Sequence, residues 1–364
     1  MKIYDGSGDK LLATVTPFEG FEGTPSVAMG DVNDDGVYDL VAGAGKDHTP
    51  EVVAYSGKSA DGKYAFETEL ARFEAFDSAA RGGVSVAASQ IDGSTADNII
   101  VGSGAGMPSE VKVFRSDLPS QFGKAPSLFS TFAPYPDDSS GVSVASGFVD
   151  FATGRYSIVT APGPGSAAQV KVFVFPLMPP IGQKTKTGSA KSESTKSEGK
   201  TADMCPEDAG KPNLAAAFMP FGLDYKGGLS LATGWLGGTL GGAERIVVGQ
   251  LSGPGEVKVF SGGSALQGGP AMYLAPADHS PIVGFGEMAS ITPFDGGAGV
   301  TVATTSTTHG ANLLVSGVSA KDKAAQVRKY ELYRPSPQAT NMLVKPIGTV
   351  VSASGSQPNV LGGD

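Results

Sequence analysis

A single cysteine, Cys205, in 364 residues excludes an internal disulfide framework, a cysteine-rich zinc site and a c-type haem attachment. Histidine is almost as scarce. His48, His279 and His309 are the only three, and no GxSxG elbow, HExxH helix or P-loop accompanies them, so no catalytic residue is assigned. Charged residues make up only 17% of the chain and leave a net charge of −9, a balance that argues against a nucleic-acid footprint and suits bound cations. No stretch approaches ~18 uninterrupted apolar residues, so no membrane span is read. The opening "MKIYDGSGDK" lacks a basic stretch followed by an apolar run, and no signal peptide is read in the chain as given.

Glycine and proline are abundant instead, with 52 and 25 residues. That mix is poor for helices and suits many short strands joined by tight turns. The strands recur as four phrases. One is "EVVAYSG" at 51, "EVKVFRSD" at 110, "QVKVFVF" at 169, "EVKVFSGG" at 256 and "QVRKYEL" at 326, with "MKIYDG" at the start as a relative. A second is "ATVTPF" at 13, "ARFEAF" at 71, "STFAPY" at 130, "AAFMPF" at 216 and "ASITPF" at 289. The third is "GGVSVAAS" at 82 and its kin at 140, 227 and 298. The fourth is a short apolar run ending near glycine, such as "DLVAGAG" or "NIIVGSG".

The spacing is constant. Thr24 to Val52, Gly83 to Val111, Gly141 to Val170, Gly228 to Val257 and Gly299 to Val327 are separated by 28, 28, 29, 29 and 28 residues. Five copies of one unit are present, each with four short runs, which is the pattern of a four-stranded antiparallel meander. A single such sheet cannot bury both faces, so the units must stack radially. The reading is an all-β fold, a β-propeller formed as a single domain over residues 1–364. The chain begins in a third strand, "MKIYDG", and continues with a fourth. The C-terminal Thr349–Ser354 resembles a first strand. Residues 1–18 and 349–362 are therefore expected to share one sheet and close a six-bladed ring, with seven blades if residues 264–295 hold an irregular one. The segment 178–213 is rich in Lys, Ser, Thr and Gly and is read as a solvated, flexible insertion between a third strand and a fourth. Tyr55, Phe114, Phe173 and Phe260, and likewise Phe18, Phe76, Tyr135 and Phe221, are expected to pack between blades.

One loop carries chemistry. In "GDVNDDGVYDL", Asp31, Asn33, Asp35 and Asp39 stand at positions 1, 3, 5 and 9, Gly36 at position 6, and the Val37 carbonyl at position 7. Oxygen donors at that spacing with a glycine at the sharp turn suit Ca²⁺. The alternative is an Asn/Asp/Gly hairpin turn that needs no metal.

"GDVNDDGVYDLVAGAG" at 30–45 and "GGVSVAASQIDGSTADNIIVGSGAGMPSEVKVF" at 82–114 resemble the FG-GAP/VCBS repeat family, the β-propellers of the integrin α-subunit type, and the resemblance extends over nearly the whole chain outside 178–213. It implies Ca²⁺ held by Asp31, Asn33, Asp35 and Asp39 with the Val37 carbonyl, and an extracellular, periplasmic or cell-surface setting. The other copies depart from the pattern. Gln90, Asp92, Ser94 and Asn98 keep one carboxylate; Phe148, Asp150 and Ala152 keep one; Trp235, Gly237 and Thr239 keep none; Thr305–Gly310 offers hydroxyls and His309.

Three functions are weighed. The first is a non-catalytic module that binds a protein or a glycan on one propeller face. The second is a structural subunit of a larger extracellular assembly. The third is a polysaccharide lyase or hydrolase with a funnel-shaped active site. The first is preferred, with no enzymatic activity, because the glycine-rich "GAGKDH", "GSGAGM" and "APGPGS" recur in step with the repeat and read as turns.

Overall fold

The computed structural model describes residues 1–5, 10–58, 64–116, 125–150, 155–176, 210–237, 243–262, 285–295, 299–307, 310–318, 324–335 and 341–353. Their secondary structure is all strand and turn, and no helix is long and apolar enough to cross a membrane. A two-stranded sheet, β1 (Lys2–Tyr4) and β2 (Leu11–Thr14), precedes five four-stranded antiparallel sheets.

Each sheet is a blade whose strands run in chain order. Blade 1 is β3 (Ser26–Gly30), β4 (Asp39–Gly43), β5 (Glu51–Tyr55) and β6 (Glu69–Glu74). Blade 2 is β7 (Val84–Ser89), β8 (Asn98–Ser103), β9 (Val111–Phe114) and β10 (Leu128–Phe132). Blade 3 is β11 (Val142–Asp150), β12 (Arg155–Pro162), β13 (Val170–Val174) and β14 (Asn213–Phe218). Blade 4 is β15 (Leu229–Gly234), β16 (Arg245–Gln250), β17 (Val257–Gly262) and β18 (Phe285–Ile291). Blade 5 is β19 (Val300–Thr307), β20 (Gly310–Val318), β21 (Ala325–Tyr333) and β22 (Leu343–Ala353). The first strands β3, β7, β11, β15 and β19 pack on one another in that order, as the inner strands of a propeller do.

The expected meander is therefore present, but the count and the closure are corrected. Among the described residues five blades have four strands, and Lys2–Thr14 and Thr349–Ala353 lie on separate sheets. Thr349 pairs with Arg328 and Ser352 with Gln326, so this stretch ends the outer strand of blade 5 instead of opening a new blade. The reason is adjacency. The nine-residue β21 presents a bare outer edge, and the chain that turns back from it meets that edge first. Residues 354–362 lie outside the described residues. So do 178–209 and Cys205, and 264–284 of the region considered for a seventh blade; 285–291 is the outer strand of blade 4.

The second strands explain their own composition. β4 (DLVAG) and β8 (NIIVGS) are buried at every position, because β8 has a blade on either side and β4 lies between blade 2 and the N-terminal sheet. Their recurring glycine has a packing reason. A Cβ on Gly43 would sit 2.7 Å from Val84 Cγ2 of the next blade, so only glycine lets the two sheets approach.

Aromatic pairs fill the blade boundaries. Phe73 of β6 meets Phe114 of β9 at 4.8 Å between ring centroids, Phe132 meets Phe173 at 4.8 Å, and Phe218 meets Phe260 at 4.9 Å. Tyr55, Phe114, Phe173, Phe260, Phe18 and Tyr135 are buried, with Phe76 and Phe221 half-buried, as the repeat predicts. Phe18 and Tyr55 join Ile3 and Val15 in a cluster that seats the N-terminal sheet on the face of blade 1 turned away from blade 2.

The inner strands carry a device that sequence reading missed. They are not hydrogen-bonded to one another as a sheet, so hydroxyls satisfy their backbone groups across blade boundaries. Ser26 accepts from the Val86 N–H at 3.0 Å, Ser85 accepts from Val144 N–H at 3.1 Å and donates to Val142 O at 2.7 Å, and Ser230 accepts from Val302 N–H at 3.0 Å. One step along, Ser146 donates to Ala88 O, Thr233 to Ser146 O and Thr304 to Thr233 O. The serine or threonine of each "GVSVAAS"-like phrase is thus an inter-blade clamp.

Candidate functional site

The β3–β4 loop holds the five residues singled out in the sequence. Its backbone turns at Asp34 (φ 58°) and Gly36 (φ 80°), the left-handed conformations that a sharp loop requires. Asp31 accepts the N–H groups of Asp35 (3.0 Å) and Gly36 (2.8 Å), Asn33 that of Asp35 (3.1 Å), and Asp35 that of Val37 (2.9 Å). Asp39, fully buried at the head of β4, accepts from Val32 N–H and Gly57 N–H, both at 3.0 Å. Burial pushes its carboxyl up to about 7 from an ordinary 3.8, and Asp35 and Asp31 push the same way against those two N–H groups.

The donors suit a hard cation, with three carboxylates, one amide oxygen and the Val37 carbonyl in one loop. They are also engaged with the loop's own N–H groups, and among the described residues no three acidic, histidine or cysteine side chains converge as a metal centre. Each carboxylate oxygen that accepts one N–H retains a second lone pair. Comparison with blade 2 is instructive. There Asn98 replaces Asp39 and accepts from Ile91 N–H (2.8 Å) and Asp92 N–H (3.0 Å), while Arg115 Nε lies 3.3 Å from the carboxylate of Asp92, the one acid among the four corresponding positions. The strand registers align Tyr55 with Phe114, which puts Ser56 of blade 1 where blade 2 has Arg115. Blade 1 has gathered more negative charge and lost the counter-charge.

The remaining copies diverge as the sequence indicates. In blade 5 the strands stay paired to Thr307 and Gly310, leaving two residues between them. Residues 151–154, 238–242 and 308–309, among them Ala152, Thr239 and His309, lie outside the described residues, as does His279. His48 packs against Phe18 and Phe21, 5.3 Å from each ring, and belongs to the seat of the N-terminal sheet.

Blades 1, 2 and 3 converge beside this loop on a cavity of about 250 Å³. Asp31, Gly36 and Tyr38 come from the β3–β4 loop, Gln90, Thr95 and Asp97 from the β7–β8 loop, and Ser146, Gly147 and Tyr156 from blade 3. The two loops are stitched together. Asp97 Oδ2 accepts the Asp31 N–H at 2.9 Å, the Asp97 N–H donates to Asp31 O at 2.8 Å, and Thr95 donates to Asp34 at 2.7 Å. Gly30 leaves room for this, since a Cβ there would lie 2.8 Å from Asp97 Oδ2.

Sequence reading missed Asp97, Tyr38 and Tyr156. A signal for Asp97 existed. The residue just before the second strand donates its N–H to the preceding blade in Asp97→Asp31 O and Glu244→Phe148 O, an acid in both blades 2 and 4, and in blade 5 Ala311, inside β20, donates to Trp235 O.

No family model and no curated protein matches the chain. Among solved structures it is similar to a Bacillus licheniformis rhamnogalacturonan lyase, PL11, with 14% identity and a TM-score of 0.38, over 92% of this chain and 65% of that one. It is also similar to the exotype rhamnogalacturonan lyase YesX, with 13% identity and a TM-score of 0.40, over 95% of this chain and 68% of that one. The chain thus spans about two thirds of the length of these proteins. At such identities the likeness concerns the fold alone, and the propeller itself stands on the order and stacking of its blades.

Proposed function

We propose that the chain is a non-catalytic, calcium-stabilised binding module of the extracellular or cell-surface kind, taking a protein or glycan ligand at the cavity where blades 1 to 3 meet. The observation that carries this reading is the state of the cavity's two carboxylates. Asp31 holds two backbone N–H groups of its own loop, and Asp97 holds the Asp31 N–H, so both are built into the wall. Such groups orient a ligand well and are poorly placed to shuttle protons. The FG-GAP/VCBS-like loop supports calcium in blade 1, since its carboxylates lack the arginine that serves blade 2.

The test is capture on an array of immobilised glycans and extracellular proteins, with Tyr38→Ala as the control for this cavity and product analysis of every bound glycan. Binding weakened by Tyr38→Ala, with ligand returned intact, is the expected result. Shortened or unsaturated sugar products would replace the module with a lyase or hydrolase. A second reading has its own support. β22 is an eleven-residue outer strand that exposes Leu343 and Ile347 beside Tyr333, a surface suited to a subunit in a larger assembly, and concentration-dependent self-association would favour it.

A further inference from the structure

We infer that the seam between blades 4 and 5 binds an oxyanion, the carboxylate, sulfate or phosphate group of a ligand, between the side chains of Arg245 and Arg334. This site is separate from the cavity at blades 1 to 3 and does not depend on it. Alternation along two strands brings the pair together. In β16, Ile246 and Val248 join the cluster shared with blade 3 and Val247 joins the one shared with blade 5, so Arg245 turns to blade 5. In β21, Tyr330 and Leu332 pack in that same cluster. Arg334 stands just past the strand's end, two residues beyond Leu332, and continues their face. The two cations look into one seam from opposite sides.

The repeat shows what has changed at this place. Leu40 pairs with Tyr55, Ile99 with Phe114 and Ile246 with Phe260, so Arg245 stands where blade 1 has Asp39 and blade 2 has Asn98. Those two side chains accept backbone N–H groups of their own loops. An arginine can only donate. Arg245 Nη1 gives one bond to Ala243 O at 2.7 Å, and its buried Nε has no partner among the described residues. An orphaned buried donor calls for an acceptor from outside the chain.

Among the described residues no acid neutralises the pair. Glu244 alternates to the opposite face of its strand, toward Gly147 of blade 3, and Glu331 to the opposite face of β21. The neighbouring stretches GTLGG (238–242) and SPQAT (336–340) contain no Asp or Glu. Burial and the charge of Arg334 both work against the charge on Arg245, with no carboxylate acting the other way. The seam at this end is apolar. Leu236, Leu332 and Met342 are buried in it, and Leu236 bridges to Ala311 of blade 5. Such surroundings strengthen both the repulsion of like charges and their hold on an anion. The guanidinium fork matches paired oxygens, and Arg334, exposed where Arg245 is half-buried, marks the side of entry.

The experiment follows the arginine Nε–H signals of the isotope-labelled full chain by NMR. Sodium sulfate, sodium phosphate and sodium glucuronate are titrated separately, with sodium chloride holding ionic strength constant, and Arg245→Lys and Arg334→Gln assign the two signals. Both signals should move and saturate with at least one probe, while that of Arg115, already paired with Asp92, stays in place. Arg334→Gln should weaken binding about tenfold, and Arg334→Lys should keep most of it. Saturation by sulfate and phosphate would assign a tetrahedral oxyanion, and saturation by glucuronate alone a carboxylate. Thermal unfolding verifies that the variants at the exposed Arg334 fold. A response to none of the three probes, equal unsaturated drift at Arg245 and Arg115, or unchanged affinity in Arg334→Gln would overturn the site.

Discussion

Lys112 lies 4.7 Å above the ring of Phe76 and donates to the neighbouring Ala75 carbonyl at 3.0 Å, so the third strand of blade 2 latches the corner where blade 1 ends. The same latch joins Lys171 to Tyr135 and Pro134 O, and Arg328 to Phe294 and Pro293 O. Blade 1 has Val53 at this place. Its cross-strand partner Arg72 takes over and reaches Pro17 O at 3.2 Å while paired with Glu51 and Glu69. The corner phrase and the third-strand cation thus act together, although they lie more than thirty residues apart in the chain.

Lys112→Met keeps the apolar stem and removes the charge and the donor. Stability should fall by about 1–2 kcal/mol, read from urea unfolding, because a ring contact and a hydrogen bond are both lost. An unchanged midpoint would reduce the latch to a passive contact.

Phe114 is buried between blades against Phe73. Phe114→Ala should destabilise the fold by ~3–5 kcal/mol through the lost burial and the cavity left behind. Phe114→Leu, closer in volume, should recover most of that loss in the same unfolding assay.

Chelation with EDTA should lower the melting temperature of the protein as purified, and added Ca²⁺ should restore it. Asp35→Ala should abolish this response while Asp92→Ala, in the loop already served by Arg115, leaves it intact. A melting curve indifferent to EDTA would make the β3–β4 loop a turn held by its own N–H groups.

Asp39 provides a pH test in metal-free buffer. Its folded-state value, about 7, is raised above the ordinary 3.8, so between those values the folded form binds the extra proton. Stability should therefore decline as pH rises from about 4 to about 7 and level off above. Asp39→Asn, which copies Asn98 of blade 2, should remove this share of the decline, and Ca²⁺ should oppose it in the unaltered protein. Parallel pH profiles for the two proteins would show that Asp39 does not titrate in that window.

Much of the fold was legible because it is local and repeated. The alternation in "ELARFE" and the apolar run in "NIIVGS" each follow from what the two faces of one strand must meet, and five copies at near-constant spacing leave one stacking solution. The β3–β4 loop was legible for the same reason, since its donors and its glycine lie within nine residues.

What the sequence by itself determined is the blade, its order of strands and the turn chemistry between them, all set by contacts close along the chain. Only the tertiary structure decided how the ends and the boundaries are arranged. Thr349–Ser354 resembles a first strand, yet the bare edge of β21 captures it from Thr349 to Ala353, because backbone groups pair with whichever edge is near whatever the phrase resembles. Asp97 joins Asp31 across 66 residues, and Thr233 meets Ser146 across 87, so the cavity and the inner clamps exist only after the blades stack. A hydroxyl or carboxylate in a repeat has the same local pattern whether it faces solvent or a neighbouring blade. Its role is set by the surface brought against it.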